Sequence, residues 1–128
     1  MPLTPYNTRP RESVKVLYDY KLGNAPGKSI VGIEVSDQPN GFTPPHRHAS
    51  ATVMAHVTEG HVLGGMNGNP PMMYGVGESF AEMPRCHHTV SENSSTEHPA
   101  KLVAVFVVDT EVLKGGYGPL TVIDEGYR

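Results

Sequence analysis

The chain has 128 residues, a formal net charge of −3 with its histidines neutral, and no block of lysine or arginine, so it is one domain's worth of chain and a poor partner for nucleic acid. Its longest apolar run, Leu102 to Val108, is too short to span a bilayer, and the first residues carry no signal-type apolar region. Cys86 is the only cysteine, so no internal disulfide can form, and a reducing, cytoplasmic setting is expected.

Residues 1–12 are proline-rich and aperiodic, an extended arm that could order against a partner subunit. Ser13 to Tyr20 alternates as a half-buried strand, and Ser29 to Ser36 is β-branched, with Gly32 marking a bulge or a close approach. Turns at 22–28 and 37–41 bound the second strand. Phe42 to His48 comes next; its two prolines argue for an edge strand or a barrel mouth. Thr52 to Thr58 and His61 to Met66 read as strands joined by Glu59-Gly60. Met72 to Val76 and Ser79 to Met83 are short strands, and Pro84 to Cys86 bends the chain before His87-His88 and Thr89 to Glu92. Ala100 to Val108 is apolar at nearly every position and should be a central strand. Thr110 to Lys114 allows one helical turn, and Leu120 to Ile123 is a last short strand. Fourteen glycines and twelve prolines spread along the chain, with no sustained helical period, predict an all-β sandwich or barrel in a single domain, 1–128.

His46 and His48 sit two apart. On a strand such residues share a face, so both imidazoles could turn to one cation. A second cluster, His87-His88, comes about 40 residues later. Isolated, a His-x-His pair reads as surface histidines; the surrounding spacing changes that.

Gly41, four residues, His46-Arg47-His48, four residues, Val53, six residues and Gly60 form a first motif over 41–60. Gly77, five residues, Met83, Pro84, Arg85, two residues, His88, three residues and Glu92, with Asn93 one place late, form a second over 77–93. Sixteen residues separate them. In these motifs the chain resembles the cupin superfamily. The resemblance implies a double-stranded β-helix, the jelly-roll cupin barrel, with a metal site inside its mouth. It implies His46, His48 and His88 as ligands of a divalent ion (Zn, Fe, Ni, Mn or Co), and a small-molecule ligand in the barrel. Val53 stands where the family carries its usual fourth ligand, a glutamate, and Met83 and Arg85 stand in the proline and glycine slots. Three neutral imidazoles would leave the ion its full charge and favour an anionic ligand.

Around that triad, Val53, Met54, Ala55, Met66 and Phe106 are expected to line the pocket, the methionines as adaptable walls. Glu82 is a candidate acid/base near the mouth, and His87 a catalytic candidate only if the bend after Pro84 brings it to the cavity; as a strand neighbour of His88 it should face outward. His56 alternates outward from Val53, Ala55 and Val57. Two functions are compatible with such a site: a metal-dependent enzyme (isomerase, lyase or dioxygenase type) on a hydrophobic or aromatic small molecule, or a non-catalytic binding or storage module. A homodimer is expected from the arm and the apolar C-terminal strand.

Overall fold

The computed structural model describes residues 9–127. Most of the expected arm, residues 1–8, lies outside the described residues. The arm's last residues, 9–12, pack on their own chain. Phe42 N–H donates to Pro10 O at 3.0 Å, Glu12 N–H donates to Phe42 O at 3.2 Å, and the Arg9 guanidinium lies 5.2 Å from the Phe42 ring centre.

Ten strands run in chain order: β1 (Ser13–Lys21), β2 (Lys28–Asp37), β3 (His46–Arg47), β4 (Thr52–Glu59), β5 (His61–Met66), β6 (Met72–Gly75), β7 (Ser79–Glu82), β8 (His87–Asn93), β9 (Ala100–Asp109) and β10 (Val122–Ile123). Two short 3-10 turns, Thr110–Leu113 and Gly118–Leu120, precede β10. The strands form two antiparallel five-stranded sheets, β1-β2-β9-β4-β7 and β10-β3-β8-β5-β6. Apart from the β1-β2 and β5-β6 hairpins, neighbours in each sheet are distant in sequence, as in a double-stranded β-helix. Among the described residues no helix is long and apolar enough to cross a membrane.

Strand alternation builds the core. Along β9, Ala100, Leu102, Ala104, Phe106 and Val108 are buried, while the residues between them are half-buried. β9 is central, as its composition predicts, with all ten residues paired to β2 from Lys28↔Asp109 to Asp37↔Ala100. On β4, Val53, Ala55 and Val57 point in. They pack with Val31 and Ile33 of β2, Val62 of β5 and Leu120. Each valine, isoleucine or leucine among them contributes about 1.5–3 kcal/mol when fully buried. Gly32 is required by a close approach: the Tyr18 ring occupies the space a Cβ would need, beside a register shift between Val16 and Tyr18.

Of the two expectations for Phe42 to His48, an edge strand or a barrel mouth, the edge strand does not form. Only His46–Arg47 is laddered, and β3 is no edge strand; it lies between β10 and β8. Pro44 and Pro45 have no N–H to donate, so the ladder begins after them, and β10 covers the side that was expected to be open. Likewise the last strand is Val122–Ile123, because Gly118–Leu120 forms a 3-10 turn first.

Candidate metal centre

Two strand registers and one turn bring the histidines together. His46 on β3 is paired directly with His88 on β8. His48 lies just past β3, and the chain then turns sharply at Ala49 (φ 53°). The second motif turns at Arg85 (φ 63°), and the two turns are tied, Arg85 N–H donating to Ala49 O at 3.1 Å. Arg85 stands in the glycine slot noted in the sequence, so the left-handed conformation is kept although the residue is not glycine.

His46, His48 and His88 are all buried, at 3%, 8% and 5% exposure. One ring nitrogen from each lies within 4.8 Å of the other two. The ring of His46 donates from Nδ1 to Pro44 O at 2.6 Å, and that of His48 from Nδ1 to Leu120 O at 2.7 Å. Those donations place the proton of each neutral ring on Nδ1 and leave Nε2 as a lone pair. The two Nε2 atoms are 3.1 Å apart. Burial first, then the neighbouring His48 and His88, push the pKa of His46 down to about 3, against Pro44 and Glu82. Among the described residues neither ring nitrogen of His88 has a hydrogen-bond partner.

Two lone pairs at this distance repel unless positive charge lies between them. A proton would bridge one pair of nitrogens and leave His88 unsatisfied. A metal ion takes one nitrogen from each ring at once, so the donor set fits a metal, and imidazole suits zinc, iron, nickel, copper and cobalt.

Glu82 ends β7 and is 3% exposed. Its Oε1 lies 3.3 Å from His48 Nε2 and 3.3 Å from His88 Nδ1, yet makes no hydrogen bond among the described residues.

A cavity of about 300 Å³ opens onto this cluster. Its walls are apolar: Val16, Ile33, Phe80, Leu102, Ala104 and Leu120 contribute. Val53, Ala55 and Phe106 also line it, and Phe106 meets His48 edge-on with ring centres 5.2 Å apart.

Two of the expected wall residues lie elsewhere. Met54 is 52% exposed, because alternation that turns Val53 and Ala55 inward must turn it outward. Met66 is half-buried where β5 pairs with His88, and it does not reach the cavity. Met72, Met73 and Met83 are exposed too, so methionines do not form the pocket. His87 turns away from His88 and pairs with Asp124, Nε2 to Oδ2 2.8 Å, outside the cavity. The Cys86 thiol is pushed up by burial, which disfavours a reactive thiolate. Sequence reasoning missed the carbonyls of Pro44 and Leu120, since a backbone acceptor carries no residue signature.

A sequence profile of the cupin domain matches residues 33–106. No curated protein matches the chain. Among solved structures it is similar to the DMSP lyase DddQ from Ruegeria pomeroyi DSS-3, at 19% identity and TM-score 0.62, over 79% of this chain and 49% of that one. A cupin domain from Bordetella pertussis Tohama I is similar at 19% identity and TM-score 0.61, over 79% of this chain and 97% of that one. The oxalate decarboxylase of Lactobacillus farciminis, in a formate complex, is similar at 17% identity and TM-score 0.60, over 77% of this chain and 31% of that one. The chain spans roughly half the length of the first solved structures it matches, at 49%, 59% and 44% of theirs. At these identities the likeness is one of fold.

Proposed function

The chain belongs to the cupin family, and on that premise we propose that it is a metal-dependent enzyme acting on a small molecule with an apolar body and one anionic or enolisable end. The observation that carries this reading is the pair of facing Nε2 atoms of His46 and His48, 3.1 Å apart, with both Nδ1 protons committed to carbonyls. His46, His48 and His88 would hold a divalent ion. Bound there, the ion supplies a Lewis acid, or a site for activating water or oxygen.

The rest of the work falls to the chain. Pro44 O and Leu120 O fix the tautomer and direction of two rings. Phe80, Phe106, Leu102 and Ala104 exclude water and take the apolar body of the ligand. The walls are mostly apolar, with Glu12, Thr43, Ser91, Tyr117 and Thr121 the polar exceptions outside the cluster of histidines and Glu82, and a ligand would be oriented with its metal-binding end toward the histidines. Two of the similar folds are named as enzymes, a lyase and a decarboxylase, which supports the enzymatic reading.

A non-catalytic binding module is the second reading, and the motif departures at Val53, Met83 and Arg85 favour it. The proposed assembly is a homodimer through β1, an edge strand with Val14, Leu17 and Tyr20 exposed.

The test is a screen of small carboxylic acids and enolisable carbonyl compounds against metal-loaded and metal-stripped protein, with ligand binding and product formation both read. The enzymatic reading expects at least one compound to bind only the loaded form and to leave chemically changed. Compounds that bind both forms alike and are recovered intact would favour the binding module.

A further inference from the structure

We infer that Glu82 is a fourth, anionic ligand of the same metal, delivered from across the sheet in place of a carboxylate at position 53. This rests on the metal reading of His46, His48 and His88.

The register puts the carboxylate there. β4 and β7 are antiparallel, and Val53 is directly opposite Glu82. Directly opposed residues project to the same face, with Cβ atoms about 4.5–5.5 Å apart. Both line the cavity. An acidic side chain lost from position 53 and present at 82 therefore enters the same space, one strand over. The sequence interval between the two positions hides this, because only the strand pairing makes them neighbours.

The environment of the carboxylate asks for a cation. Oε1 is buried, makes no hydrogen bond, and stands 3.3 Å from a ring nitrogen of His48 and 3.3 Å from one of His88. A buried carboxylate left without hydrogen bonds is destabilising. Among the described residues its ion-pair partners are those two histidines and no lysine or arginine. Nδ1 of His88, also without a partner, faces the same oxygen. One ion held by a nitrogen of each ring and by Oε1 would satisfy Oε1, Nδ1 of His88 and the two facing Nε2 atoms, leaving only Nε2 of His88 without a partner among the described residues. With three neutral imidazoles, a divalent ion would keep its whole charge; Glu82 halves it. The centre would then be less avid for hard anions than a three-histidine site and would keep an open position for a neutral or singly charged ligand.

The test uses the full chain stripped of metal and titrated with Co²⁺. It reads affinity, visible absorption of the bound ion, and the infrared carboxylate band in the difference between loaded and free protein. Glu82→Gln, close in shape, is expected to lose more than the roughly 10–100-fold in affinity that loss of an outer partner costs. It should also change the cobalt spectrum and abolish the carboxylate difference band. Adding Val53→Glu to Glu82→Gln should recover most of the affinity, which a merely structural role for Glu82 would not allow. A Glu82→Gln protein that binds Co²⁺ with unchanged affinity and spectrum would overturn the inference. So would a wild-type protein whose carboxylate band does not respond to Co²⁺, a readout that stands even if a variant does not fold. If wild-type protein binds no Co²⁺, or His88→Ala binds it as well as wild type, the triad reading fails first and this inference falls with it.

Discussion

The ring of His48 is held by the carbonyl of Leu120, 72 residues further along the chain, through a hydrogen bond of 2.7 Å from Nδ1. Leu120 closes the short 3-10 turn Gly118–Leu120, and its side chain is 1% exposed. The C-terminal segment thus both seals the core and sets the tautomer of one site histidine. Leu120→Ala should lower stability by about 2–5 kcal/mol, as other buried leucine truncations do. Because the carbonyl shifts with the turn, metal affinity should fall as well, by roughly 10–100-fold. Denaturant unfolding and metal titration on the same variant measure both; full stability loss with unchanged affinity would separate the turn from the site.

The cavity and the metal cluster can be separated by filling the cavity. Ala104 on β9 faces the inside, opposite Ala55 on β4, and lines the wall. Ala104→Leu should keep the metal while excluding ligands, at a cost of about 1–3 kcal/mol in overpacking. Metal content and small-molecule binding, measured side by side, check this.

Asp37 gives the fold a pH dependence of its own. Burial first, then Glu12, push its carboxyl from 3.8 up to about 6, with Arg9 opposing and Glu92 adding. Its Oδ1 is buried without a hydrogen bond among the described residues. The folded state therefore holds a proton that the unfolded chain releases near pH 4. Stability from this group is present below that pH, falls as pH rises through about 6, and is flat above. Asp37→Asn should remove the slope and stabilise the protein at pH 7.5 by roughly 1–3 kcal/mol. Thermal unfolding between pH 4 and 8 measures it; an unchanged slope in the variant would contradict the assignment.

Arg85 holds a left-handed backbone, φ 63°, with a full side chain. Such a conformation costs a non-glycine residue about 1–2 kcal/mol, and glycine returns part of that in unfolded-state entropy. Arg85→Gly should raise stability by up to about 1 kcal/mol. Its carbonyl, which accepts from Arg47 Nη1 at 2.8 Å, remains in place. Denaturant midpoints of the two proteins decide the sign.

The fold class and the triad were legible because both are written in spacing. His46 and His48 lie two apart on one strand end, and the second motif counts forward to His88 from Gly77. Most strands could be read from alternation and turns, and β9 from its apolar run. Glu82 was read as a candidate acid/base near the mouth, but its place directly opposite Val53 was not legible. Its neighbours are set by the β4–β7 register, and no count along the chain reports that pairing. The expectation for Met54 failed against the same alternation that correctly turned Val53 and Ala55 inward. Met66 failed because it is half-buried opposite His88, and its strand, β5, contributes no residue to the cavity wall. The covering of β3 by β10 depended on a turn at Gly118–Leu120 that no periodicity announced.

The most direct measurement is the metal content of the purified protein beside that of His46→Ala and His88→Ala, by elemental analysis after equilibration with a divalent metal and removal of the excess. A three-histidine centre predicts about one ion per chain in the wild type and a large loss in each variant, both variants remaining folded by far-ultraviolet circular dichroism. Equal metal in all three proteins, or none in the wild type, would contradict it.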